Sequence, residues 1–151
     1  MAVRRICVRE LTTVNQTQTL TVTCASPSFT PTGTGNQPEC NVNLYNVSFS
    51  VSPVPTITFS YDAQFKYTYD LNGGTFEEFC NVLNQSGSII LDAGLGSCTC
   101  SDAFTITSSV TCDPAAITTT DTSVGAPVTF NFTLNDLCAE TIICVDDTTC
   151  P

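Results

Sequence analysis

At residues 57–71 every odd position is apolar or aromatic (Ile57, Phe59, Tyr61, Ala63, Phe65, Tyr67, Tyr69, Leu71), and every even position between them is polar. An extended chain sends successive side chains to opposite faces, so this run predicts a β-strand with one buried and one wet face. At ~3.3 Å per residue it would span about 50 Å, longer than most strands, which predicts a bend or bulge near Asp62-Ala63. Asn72-Gly73-Gly74 follows and supplies the positive-φ residues that a hairpin turn requires.

The same alternation recurs at 18–24 and in Tyr45, Val47, Phe49 and Val51, which stop at Pro53 and Pro55. It returns in Phe104, Ile106, Ser108, Val110 and Cys112, then in Val128, Phe130, Phe132 and Leu134, with shorter runs at 88–91 and 141–145. The fold class expected is all-β: an antiparallel β-sandwich or jelly roll of about seven or eight strands, disulfide-stapled, with an extended amino-terminal arm. Thr is frequent, and its β-branched side chain suits the exposed face of a strand. Only residues 75–83 admit a helical turn, with Phe76, Phe79 and Leu83 at i, i+3 and i+7. Residues 26–37 and 114–127 are rich in Pro, Gly, Ser and Thr and are expected to be exposed loops. The chain divides into an arm at 1–16, a β body at 17–138 and a cysteine-bearing segment at 139–151, with no fixed-period repeat.

Ten cysteines in 151 residues approach the density of disulfide scaffolds, and the even number fits complete pairing. The lone close pair, Cys98-Thr99-Cys100, has neither zinc-knuckle nor redox Cys-x-x-Cys spacing, so no metal is expected on the cysteines. Cys24, Cys40, Cys80, Cys98, Cys100, Cys112 and Cys138 are the candidates for staples within the body. Cys7, Cys144 and Cys150 stand near the two ends, where they either pin the termini to the body or bridge to neighbouring subunits. After Arg4 and Arg5 only a three-residue apolar stretch, Ile6, Cys7 and Val8, precedes Arg9 and Glu10, which reads as no secretory signal. The expected location is extracellular or a spore surface, reached by release from a cytosol and later oxidation.

With no histidine, neither Ser-His-Asp nor Cys-His catalysis nor a histidine-bearing zinc site is available. Glu77-Glu78 and Asp146-Asp147 are sequence neighbours, so on strands each pair points to opposite faces and shares no substrate. No tryptophan is present to form a sugar platform. The expectation is therefore no enzyme, no catalytic residue and no cofactor; a hydrolase using carboxylates from distant strands is the weakest reading. Calcium at Asp92, Asp102, Asp113 or Asp121 is a minor reading, because no Asp-x-Asp-x-Asp-Gly loop exists.

A net charge of −10 opposes binding to nucleic acid or anionic lipid, and no stretch approaches the ~20 apolar residues of a spanning helix. Three of the four basic residues, Arg4, Arg5 and Arg9, lie in the first nine positions. This basic arm either folds back on its own domain or docks on the acidic face of the next subunit. In the second arrangement Arg4, Arg5 and Arg9 set register through carboxylates, and the segment Ile6-Cys7-Val8 adds a strand to an open edge.

The arm through Cys7, the Thr- and Val-rich runs at 17–24 and 128–134, and the missing signal resemble the cysteine-rich structural proteins of bacterial endospore surfaces. The likeness is nearest to the endospore appendage subunits, and more loosely to exosporium lattice proteins. It is one of general architecture along the chain, and the arm here holds Cys7 alone where those arms carry a Cys-Cys pair. It implies a small jelly-roll subunit that polymerises with copies of itself by inserting its arm into a neighbour and cross-linking it through disulfides. The expected function is thus a self-assembling filament or layer subunit; the alternative is a monomeric secreted binding module or inhibitor presenting the 26–37 and 114–127 loops.

Overall fold

The computed structural model describes residues 3–51, 53–91 and 105–146, with side chains between 12 and 136 within those ranges. The protein is nearly all β, and no helix among the described residues is long and apolar enough to cross a membrane. Among the described residues seven strands form two antiparallel sheets: β1 (Val3–Cys24), β2 (Cys40–Ser50), β3 (Thr56–Leu71), β4 (Gly74–Ile90), β5 (Thr105–Cys112), β6 (Thr118–Thr119) and β7 (Val124–Asp146). One sheet has the order β1-β7-β5 with β6 also on β7, and the other has the order β2-β3-β4.

The alternating run became β3, the central strand of its sheet. Its odd residues from Ile57 to Tyr67 are all buried and meet the even residues of β7, Val124, Ala126, Val128, Phe130, Phe132 and Leu134. Phe59 lies 4.8 Å from Phe130 and 5.0 Å from Phe132, centroid to centroid, and Tyr61 lies 5.0 Å from Phe130. Each such aromatic side chain contributes roughly 1.5–3 kcal/mol by leaving water. On the wet face of the other sheet Thr and Asn form cross-strand pairs, Thr17 to Asn131 at 2.9 Å and Thr19 with Thr129 at 3.0 Å.

Two turn features fall where the sequence places them. Asn72 and Gly73 take φ of 51° and 78° and close the β3–β4 hairpin between Leu71 and Gly74. The β3–β4 register shifts between Tyr61 and Ala63, the bulge that the excessive strand length requires.

Two expectations are corrected and one is refined. Residues 75–83 are strand: backbone pairing with β3, started by the tight turn, overrides a helical spacing whose Phe76 and Leu83 are in fact 49% and 59% exposed. Residues 26–37 are the mostly exposed loop expected, but the loop is fastened to β3, since Thr32 N–H donates to the Thr68 carbonyl at 2.8 Å and Thr68 N–H to the Gly33 carbonyl at 2.9 Å. The Phe29 ring stacks on Tyr69 at 3.9 Å, so apolar contact reinforces those bonds. Residues 114–127 hold a 3-10 turn at Pro114–Ala116, strand β6 and the start of β7 rather than one open loop.

Candidate functional site

Two disulfides close the sandwich along opposite edges. Cys24–Cys80 joins β1 to β4, and Cys40–Cys112 joins β2 to β5. Each therefore links an edge strand of one sheet to an edge strand of the other. Cys24 and Cys80 are 4% and 2% exposed, whereas Cys40 and Cys112 sit at the margin of the core, half-buried. Cys98, Cys100 and Cys150 lie outside the described residues.

The first and last described strands pair with each other. β1 runs unbroken through the 16/17 boundary and pairs with β7 from Val3↔Asp146 to Cys24↔Val124. The register slips once, between Thr12 and Val14, beside Asp136, whose φ is 57°. Pairing of β5 with β7 also stops there, at Asn135. Beyond that bulge the ten pairs from Thr12↔Leu137 to Val3↔Asp146 form a two-stranded ribbon, with no third strand beside it among the described residues. At ~3.3 Å per residue the ribbon is about 30 Å long.

The ribbon gathers the residues expected to make the arm contacts. Arg4 stands opposite Val145, Arg5 opposite Cys144, Ile6 opposite Ile143, Cys7 opposite Ile142, Val8 opposite Thr141, Arg9 opposite Glu140 and Cys138 opposite Leu11. The backbone of the arm thus pairs with β7 of its own chain. Its charge is matched there as well: residues 3–12 carry a net +2 and residues 137–146 a net −2.

A second site has no forerunner among the sequence candidates. The three strands of the β2-β3-β4 sheet slip register at one level, between Tyr45 and Ser48 and between Tyr61 and Ala63, with Asn46 and Asn84 at φ 53° and 57°. Asn tolerates this left-handed backbone better than most residues. The Asp62 carboxylate stabilises the slip, accepting the Asn84 N–H at 2.7 Å and the Tyr45 hydroxyl at 3.0 Å. Tyr45 accordingly holds its proton above the ordinary tyrosine range, through loss of hydration first and then through the bond and charge of Asp62.

Beside the slip lies an open groove of about 640 Å³ lined by Cys40, Asn41, Asp62, Gln64, Asn81 and Cys112 among others. Its amides form a ladder, Asn41 to Gln64 at 3.0 Å and Gln64 to Asn81 at 3.2 Å. The polar members of the alternating run were the available signal, but which strands would flank them was not visible.

Lys66, the one cation outside the arm, is held between Glu77 at 3.0 Å and the Gln37 carbonyl at 3.2 Å. No group of three His, Cys, Asp or Glu side chains among the described residues is placed to hold a metal ion. Of the calcium candidates, Asp92 and Asp102 lie outside the described residues, and the Asp113 carboxylate accepts the Ala115 N–H at 2.9 Å. No family model, curated protein or solved structure matches the chain.

Proposed function

We propose that this protein is a non-enzymatic structural subunit that self-assembles into an extracellular or spore-surface filament or layer, linked through its terminal ribbon and through disulfides between subunits. The observation that carries the reading is the ribbon, in which β1 and β7 run on together past the last pairing with β5, with Cys7, Cys138 and Cys144 in these strands. The outer edges of the ribbon, which have no third strand among the described residues, present rows of backbone donors and acceptors, a template for pairing with another chain. The stapled body supports the same reading, since two disulfides suit an oxidising, extracellular-type setting. The resemblance to endospore appendage subunits supplies the spore-surface part.

Electrophoresis after boiling in detergent tests it. A ladder of multimers that collapses to one band with reductant is expected, with ordered fibres or sheets in negative stain. A single monomer band without reductant overturns the covalent assembly.

The groove beside Asp62 favours a second reading, a monomeric disulfide-rich binding module. All ten thiols paired within one chain, together with a monomeric sedimentation profile, would decide for it.

A further inference from the structure

The two disulfides among the described residues differ in what surrounds them. Cys24–Cys80 is buried in the core, whereas both Cys40 and Cys112 line the open groove. Thiol–disulfide exchange needs a thiolate to reach one sulfur in line with the bond, so access governs which disulfide reacts. The surroundings of the open disulfide are also charged. Asp62 lines the groove, and the exposed residues Glu39 and Asp113 directly precede Cys40 and follow Cys112. The nearby cation is Lys66, 3.9 Å from Glu39 and closer, at 3.0 Å, to Glu77. An attacking thiolate is itself anionic, so this acidic rim repels it unless its carrier brings positive charge.

We propose that Cys40–Cys112 is a thiol-exchange site of this protein, selective for thiols carried on cationic peptides. The incoming thiolate bonds to one of the two sulfurs, the Cys40–Cys112 bond breaks, and the other cysteine leaves as a thiolate. One disulfide is consumed and one is formed, so no external oxidant or reductant takes part. Within this chain the segment Arg4-Arg5-Ile6-Cys7-Val8-Arg9 has the required chemistry. The inference deepens the assembly reading and rests on it only for the source of the thiol, a second copy rather than an unrelated basic peptide.

The oxidised full-length protein is treated separately with a synthetic peptide of residues 3–10 and with glutathione, quenched in acid and mapped by mass spectrometry. Mixed disulfides are expected at Cys40 or Cys112, forming roughly tenfold faster with the cationic peptide than with glutathione, a preference that shrinks in high salt. The double variant E39Q/D113N should lose most of that preference while keeping Cys24–Cys80 intact; the amide oxygen it introduces at position 113 can still accept the Ala115 N–H. Equal labelling of Cys24 or Cys80, or a rate indifferent to carrier charge in the parent protein, overturns the proposal.

Mixing isotopically heavy and light protein without added thiol identifies the source. Heavy–light peptides joining Cys7 to Cys40 or Cys112 assign it to a second copy. Exchange with the peptide in a protein that stays monomeric keeps this site and removes the assembly reading. Multimers that form without exchange at Cys40–Cys112 do the reverse.

Discussion

The ring of Phe59 occupies the space that a side chain at Gly87, its cross-strand partner, would fill, with Cε2 2.8 Å from where a Cβ would stand. Phe59 is 1% exposed and packs on Phe130 and Phe132, so it has nowhere to retreat. Gly87→Ala is therefore expected to destabilise the fold by about 1–3 kcal/mol through overpacking, read as a lower urea midpoint at unchanged slope. A neutral result would mean that the ring shifts freely.

Gln18 carries the opposite fault. Its side-chain Oε1 is buried and accepts no hydrogen bond from the described residues. An unpaired buried carbonyl costs roughly 1–3 kcal/mol, so Gln18→Met, similar in volume and without the acceptor, should raise stability by about 1 kcal/mol. Thermal unfolding of the two proteins checks the sign.

The disulfides separate chain entropy from packing. They span 56 and 72 residues, for which the entropic contribution is nearly equal, about 4 kcal/mol each. Removing Cys24 and Cys80 also empties a core site, whereas Cys40 and Cys112 lie at its margin. The C24A/C80A protein should accordingly be the less stable by about 1 kcal/mol or more in denaturant titration, despite its shorter loop.

Asp62 couples the sheet irregularity to alkaline pH. Tyr45 is raised by lost hydration and by Asp62, and Tyr61 is raised by burial. The folded state thus keeps these protons longer than the unfolded chain. The associated stability is whole below the ordinary tyrosine value near ~10 and is lost as pH climbs through the folded values. Tyrosine ring resonances followed by NMR should show Asp62→Asn returning Tyr45 toward its ordinary value while leaving Tyr61 in place. Asp62→Ala additionally strips the Asn84 N–H of its acceptor and should cost about 1 kcal/mol.

Much of this architecture is legible along the chain because its causes are local. Alternation from Ile57 onward marks the strand and its buried face, Asn72-Gly73 marks the hairpin, and excess length marks the bulge beside Asp62. Even the misreading of residues 75–83 is local in origin, since Phe76 and Leu83 at helical spacing carry no sign that a neighbouring strand already claims their backbone.

Pairing across distance is a different matter. The ten cysteines announce a stapled β fold, yet which of them meet depends on which edge strands face each other after two sheets have stacked. That order is set by the joint burial of Phe59, Phe130 and their neighbours, not by spacing. The same holds for the arm. Its arginines invite an acidic partner, and only the tertiary register shows that the backbone of Arg9 lies opposite that of Glu140, 131 residues away in sequence.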